Sequence, residues 1–282
     1  MLLLVSNIDS AEESTTQEGQ RRPMNIVVCV KQVPDTEVER TLRPGDNTVD
    51  RASVDGVINY LDEFAIEEGL KIAEAQGGEV TILSMGPAKA AESIRKALSM
   101  GAHKAVHVND DGLAGSDALA TSLALAAALR HVGFDLVIFG SEATDARTGV
   151  VPAMVAERLG VPQLTLASKV DVDGSRVTVQ RVADDGYAVV TGSLPAVVSV
   201  MEKINEPRYP TFKGIMAAKK KPVQALTLAD LSIGGDPVGL AGAATWVEDF
   251  ASRPPRAAGV IVKDEGDGGT KAAGFLAERK FI

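Results

Sequence analysis

From Met24 to Gly160 the chain alternates between short runs of β-branched residues and amphipathic stretches, with only brief turns between them. This rhythm constrains the fold more than any other feature. A strand followed by a helix and a second strand crosses over right-handed and pairs in parallel, so the segment predicts a mostly parallel sheet with helices on both faces. Strands are predicted over 25–33, 79–85, 103–108 and 134–140. Helices are predicted over 55–76, closed by Gly77-Gly78, and over 88–100, 116–131 and 148–160, with Ser116 as an N-cap. Pro44-Gly45-Asp46-Asn47 predicts a turn, and 41–51 a hairpin around it.

After Val161 the rhythm changes. Segments 164–170, 176–181 and 187–191 read as antiparallel strands with turns at Asp173-Gly174 and Asp185-Gly186, and 196–200 returns to a buried strand. The expected organisation is an α/β domain over 24–205, a Pro- and Lys-containing loop over 206–222, and a C-terminal arm over 223–282 that packs on a partner or on the main domain. Residues 1–23 read as a polar, disordered leader, and Met24 as a candidate functional start.

Composition removes several classes of function. Hydrophobic residues make up 45 % of 282, enough for a sizeable core. The net charge of −9 and an aromatic content of 4 % disfavour binding to a nucleic-acid polymer. No apolar run is long enough to predict membrane insertion. Cys29 is the single cysteine, which fits a reducing, cytoplasmic compartment, and its place among valines predicts an inert buried thiol. His103, His107 and His131 show no zinc-ligand spacing, so no metal site is expected. There is no P-loop, no G-x-G-x-x-G after the first strand and no G-x-S-x-G elbow, and no catalytic constellation is predicted. Asp62, Glu63, Glu67 and Glu68 are predicted to form a solvated helix face and its first turns.

Ligands of open parallel sheets bind at the carboxyl ends of strands, beside helix N-termini. Three such ends carry suitable turn residues: 31–35, 85–87 and 140–149. The third is the most informative, because Gly140 permits close backbone approach and the small and polar residues up to Gly149 lead into a helix. The same residues also serve ordinary turn geometry, so the loop alone leaves both readings open.

The sequence also resembles a known family. Val28-Cys29-Val30-Lys31-Gln32-Val33-Pro34-Asp35, the helix around Asn59-Tyr60-Leu61-Asp62-Glu63-Phe64-Ala65-Ile66-Glu67-Glu68, and Gly101-Ala102 resemble electron-transfer flavoprotein β subunits. So do Gly140 to Asp145, Leu194-Pro195-Ala196-Val197-Val198, Asn205-Glu206-Pro207-Arg208-Tyr209-Pro210, Ile215-Met216 and Lys219-Lys220-Lys221. The resemblance runs from about Met24 to Ile282. The fold class it implies is α/β: a Rossmann-like, mostly parallel sheet with helices on both faces, an antiparallel hairpin region and an extended C-terminal arm.

The resemblance further implies a heterodimer with an α subunit that makes most of the FAD contacts, while this chain holds AMP. Electrons would come from acyl-CoA dehydrogenases and related enzymes, as in fatty acid oxidation, and leave through a quinone oxidoreductase. Matched positions imply AMP contacts from Cys29, Asn59, Tyr60, Leu61, Asp62, Met85, Gly140, Ala143, Asp145, Thr148, Gly149, Val150 and Val151. Animal members carry more polar side chains where this chain has Gly149, Val150 and Val151. Thr36 and Leu61 stand where animal members place aromatics near the flavin. Phe212 stands at the position of a docking leucine, with Ile215 and Met216 beside it, although on its residue type alone it reads rather as a helix-flank core residue. Lys219 to Lys221 read as a solvated charge run or as a steering patch for acidic partners. Val182 stands where the family often has an acidic residue. The alternative to a carrier subunit is a stand-alone adenine-nucleotide-binding regulatory protein. An adenylate-forming enzyme would need a Gly-rich pyrophosphate loop where Lys31-Gln32-Val33-Pro34 stands.

Overall fold

The computed structural model describes residues 23–233, 237–251, 254 and 259–282. It divides into two compact units, 1–247 and 248–282. The leader expected over 1–23 lies, apart from Pro23, outside the described residues.

The first unit is α/β. In chain order its elements are β1 (Met24–Cys29), β2 (Gln32–Pro34), β3 (Gly56–Ile58), α1 (Tyr60–Gln76), β4 (Gly78–Met85), α2 (Ala91–Met100), β5 (Lys104–Val108), α3 (Ala118–Val132), β6 (Leu136–Gly140), α4 (Val151–Leu159), β7 (Gln163–Asp173), β8 (Arg176–Ala183), β9 (Gly186–Ser193), β10 (Ala196–Val200), α5 (Phe212–Ala218) and β11 (Val223–Leu226). Nine strands form one sheet in the order β11-β5-β4-β1-β6-β10-β7-β8-β9, and β2 pairs with β3 in a small antiparallel sheet. Every pairing from β11 to β7 is parallel, while β7-β8 and β8-β9 are antiparallel.

Strand alternation divides the core in two. Ile26 and Val28 of β1 face one way, into a cluster with Ile66 and Leu70 of α1 and Ile94 and Leu98 of α2. Val27 and Cys29 face the other way, among Leu125 and Leu129 of α3 and Val155 of α4. Both faces are therefore apolar and both are covered, which is why these strands read as continuous hydrophobic runs.

Several boundaries depart from the expectations. The first predicted strand is interrupted after Cys29, because the Lys31 amide donates to Asp62 Oδ2 at 2.8 Å instead of continuing the ladder. Its last residues pair as β2 with Gly56–Ile58, which the helical pattern had assigned to the first helix; long-range pairing overrides local periodicity there. The N-cap of α3 is Asp117, not Ser116: Asp117 Oδ1 accepts from the Ala120 amide at 2.9 Å, while Ser116 Oγ donates to Leu113 O at 2.8 Å. The turn at 44–47 is present, and the hairpin expected around it is reduced to one antiparallel bridge, Leu42 to Val49. The segment 206–222 contains a helix, α5, capped by Thr211, whose Oγ1 accepts from the Gly214 amide at 3.0 Å.

β10 lies near the middle of the sheet and β11 at one edge. The chain between them, which includes α5, therefore crosses from one to the other past β6, β1, β4 and β5. The last strand falls inside the segment expected to be an arm.

The second unit contains α6 (Gly268–Glu278), which has no buried residue. Asp264 Oδ1 accepts from the Gly266 and Gly268 amides, both at 2.9 Å, ahead of the helix, and Arg279 stands 4.5 Å over the Phe275 ring. Among the described residues no helix is long and apolar enough to cross a membrane.

Candidate functional site

β4, β1 and β6 are neighbours, so their carboxyl ends bring Met85, Cys29 and Gly140 to one rim. From β1 the chain winds outward to β4 and β5, then returns to β6 on the other side of β1. The reversal makes a topological switch point between β1 and β6, where open α/β sheets take their ligands.

The first turn of α1 lies directly on that point. A Cβ at Gly140 would stand 2.6 Å from Asp62 Oδ1 and 2.8 Å from the Leu61 carbonyl carbon. The missing side chain of Gly140 is thus filled by α1. Asn59 stitches the region together: its amide donates to Lys31 O at 2.9 Å, Nδ2 donates to Asp62 Oδ1 and to Glu142 O at 2.9 Å each, and Oδ1 accepts from the Thr144 amide at 3.2 Å.

Asp62 is buried and accepts from the Lys31 amide, Asn59 Nδ2 and the Gly140 amide. Burial outweighs these donors and pushes its carboxyl up to about 7. Neighbouring Cys29 is held well above the usual thiol range, first by burial and then by the Asp62 charge, as the inert-thiol expectation required.

The β6–α4 loop carries a second ionised centre. Asp145 has a fully buried carboxylate that pairs with Lys31 Nζ at 2.9 Å and with the Arg51 guanidinium. Burial alone would raise its pKa, but the two cations together hold it below the usual carboxylate range. Thr144 is buried and its Oγ1 has no hydrogen-bond partner. Gly149 adopts φ +63°, and the nearest atom to a Cβ there would be Ser141 O at 3.8 Å, so the loop is open at that point. α4 begins at Val151 without a side-chain cap, leaving its first amides available, as at any helix start. Ala143, Thr148 and Val150 lie along the same loop, with Thr148 and Val150 exposed, and Tyr60 is half exposed with its hydroxyl donating to Glu202 at 2.9 Å. Sequence reading passed over Arg51 here. It is one of three arginines in the polar excursion between β2 and β3, with Arg40 and Arg43, and nothing local singles it out.

The two residues expected near a flavin differ in setting. Thr36 is exposed in the turn after β2, while the Leu61 side chain is buried.

The acidic residues of α1 are not a solvated face. Glu67 and Glu68 are buried, as Asp62 is. Glu67 takes a forked pair of bonds from Arg208, Nε to Oε2 at 2.7 Å and Nη2 to Oε1 at 2.9 Å, and Arg208 also reaches Glu74 at 2.6 Å. Glu68 accepts from Asn205 Nδ2 at 3.0 Å, and Asn205 also donates to Phe64 O at 3.0 Å. The sequence shows acidic side chains on a helix, but not the partners some 140 residues away that make their burial tolerable.

Beyond Arg208 the chain turns outward. Tyr209 is 90 % exposed and Phe212 82 % exposed, and Ile215 and Met216 are exposed on the same short helix. Phe212 is therefore not a core residue. Of the three lysines that follow, Lys219 and Lys220 are exposed, while Lys221 turns inward onto backbone carbonyls and is no part of a solvated run.

The fold and its rim define a doubly wound α/β protein with a ligand-type switch point and an exposed apolar helix. Comparison narrows the class. A family model described as "Electron transfer flavoprotein domain" matches residues 46–231. The chain is 51 % identical over 264 residues to "Electron transfer flavoprotein subunit beta" of Mycobacterium tuberculosis, covering 92 % of this chain and 99 % of that one. It is 52 % identical over 264 residues to the protein of the same name from Mycobacterium leprae, with the same coverage. It is 36 % identical over 248 residues to "Acryloyl-CoA reductase electron transfer subunit gamma" of Anaerotignum propionicum, covering 85 % of this chain and 92 % of that one. The chain belongs to the electron-transfer flavoprotein β-subunit family.

Proposed function

We propose that this chain is the β subunit of a two-chain electron carrier in the cytoplasm. With an α subunit it holds FAD, it keeps AMP at the switch-point rim as a structural ligand, and it relays electrons from acyl-CoA dehydrogenases to a quinone oxidoreductase. The observation that carries this reading is the identity to β subunits across 92 % of the chain, far beyond one motif.

The geometry supports it. The buried, unpartnered Thr144 Oγ1, the open backbone at Gly149 and the uncapped start of α4 suit a phosphate-bearing ligand of modest size. Cys29 and Met85 contribute apolar or neutral atoms to the same rim, where an adenine ring would pack. The contribution to FAD is slighter, since Leu61 faces inward and Thr36 alone is exposed. Bound FAD supplies reversible storage of electrons. The chain's residues hold the cofactors in place, keep Asp62 and Cys29 away from solvent, and present α5 to donors.

Co-expression with the α subunit and an absorbance spectrum test the reading. The expected result is a yellow one-to-one complex that releases AMP on denaturation. A colourless homo-oligomer that binds adenine nucleotide would instead support the stand-alone regulatory protein.

A further inference from the structure

α5 is only seven residues long and carries most of its side chains outside the core, so its own packing does little to fix its orientation. It is fixed by a reciprocal exchange with α2. From α2, Arg95 Nη1 donates to Ala218 O at 2.6 Å and to Lys221 O at 3.3 Å, gripping the last turn of α5. From the residues after α5, Lys221 Nζ donates to Leu98 O at 2.9 Å and Ala102 O at 2.6 Å, gripping the C-terminal end of α2. Leu98 O and Ala218 O each also accept one backbone amide, from Gly101 and Lys221, so each cation adds a second donor at the negative end of the other helix. Between them Gly214 lies so close to α2 that a Cβ there would stand 2.5 Å from Ser99 O.

We propose that Arg95 and Lys221 are positioning residues that fix α5 on α2, so that Phe212, Ile215 and Met216 meet an electron-donating dehydrogenase as a preformed apolar surface. This rests on the docking role of α5 given under Proposed function. A preformed surface spares the ordering cost that a loose segment would meet at each encounter. It also suits a carrier that must bind and release repeatedly. Neither cation reaches the rim, so neither bears on nucleotide or flavin retention.

The test uses the assembled flavin-containing heterodimer, with variants Lys221→Met, Arg95→Met, Lys221→Arg and Phe212→Ala. Two quantities are read: the KM and kcat for reduction by an acyl-CoA dehydrogenase, and amide hydrogen exchange across residues 208–221. Lys221→Met and Arg95→Met are expected to raise KM about fivefold, with kcat within about twofold and unchanged flavin content, because uniform binding is what they weaken. Exchange should quicken in α5 and stay as in the wild type in β1, β4 and β6. Lys221→Arg, which keeps a cation and its donors, should restore most of the KM. If Phe212→Ala raises KM while both methionine variants leave KM and exchange unchanged, the positioning proposal is overturned and the docking reading stands. If Phe212→Ala leaves KM unmoved, the docking reading fails and the proposal falls with it. Arg95→Met acts from the α2 side and keeps the test decisive should Lys221→Met not fold.

Discussion

Arg208 closes on Glu67 with a planar fork of two N–H···O bonds, 2.7 and 2.9 Å, joining the middle of α1 to a segment that follows the last central strand. The pair holds a buried carboxylate in place, and the bonds that Arg208 donates to Glu67 and then to Glu74 raise its guanidinium further above its usual range. Breaking such a pair strands the buried partner. Arg208→Ala should therefore destabilise the protein by about 2–4 kcal/mol, toward the lower end because Arg208 itself is partly exposed. Arg208→Lys should recover only part, since an ammonium cannot form the fork. Urea unfolding of the three proteins measures both effects.

Asp62 sets a pH dependence of unusual sign for a carboxyl group. Burial raises it to about 7, above the roughly 3.9 of an unfolded chain. Between those values the folded state binds the extra proton, so the Asp62 contribution to stability is fully present below about pH 4 and is lost as pH rises toward 7. The carboxyls lowered in the folded state, Asp145 and Asp117 among them, act at lower pH and in the opposite direction. Midpoints of urea unfolding taken between pH 4.5 and 7.5 should decline, and Asp62→Asn should flatten the decline. An unchanged slope in the variant would remove Asp62 as its cause.

Asp145→Asn removes the charge that pairs with both Lys31 and Arg51. Because the Asp145 carboxyl is held low, its contribution is present above the unfolded pKa and is lost as pH falls through the folded one. At neutral pH the variant should lose about 1–3 kcal/mol of stability. If the proposed AMP site is as argued, the variant should also release less AMP on denaturation. Wild-type stability at neutral pH together with full nucleotide content would show that the two cations are indifferent to this carboxylate.

Gly140→Ala puts a methyl group 2.6–2.9 Å from Asp62 Oδ1 and the Leu61 backbone. The Asp62 side-chain end is held by its hydrogen bonds and the Leu61 contact is backbone, so α1 itself must move, at a cost of about 1–3 kcal/mol or more. A lowered melting temperature is the expected readout, and an unshifted one would mean that α1 is free to slide.

Cys29 should resist alkylation in the native protein and react readily once unfolded, since burial and the Asp62 charge both disfavour its thiolate. Mass spectrometry after brief iodoacetamide treatment at pH 8 distinguishes this from an exposed, reactive thiol, against an unperturbed pKa of about 8.5.

Much of this architecture is legible in the residues. The runs at 79–85, 134–140 and 196–200 carry their burial in composition alone, and each became a strand at the centre of the sheet. What stayed hidden depends on partners distant in sequence. Gly56-Val57-Ile58 looks helical until β2 is there to pair with it. Glu67 and Glu68 look solvated until Arg208 and Asn205 arrive. At the rim, Cys29, Met85 and Gly140 could be read as a group because strand ends converge by rule. Arg51 could not, because no local pattern announces that a flexible cation will reach Asp145. Lys219 to Lys221 look alike in sequence, and only the position of α2 selects Lys221 as the one that turns inward.

The crossing from β10 to β11 gives α5 a mechanical character. α5 is neither a tassel on one end of the fold nor an insertion in a single loop. It is a yoke, hitched to the middle of the sheet at one end and to its border at the other. A pull on Phe212 loads both hitches at once. Trimming the chain just after Pro222 would cut the outer hitch and leave α5 to the inner one and to the clasp of Arg95 and Lys221 on α2, so amide exchange in α5 should quicken although Phe212 is untouched.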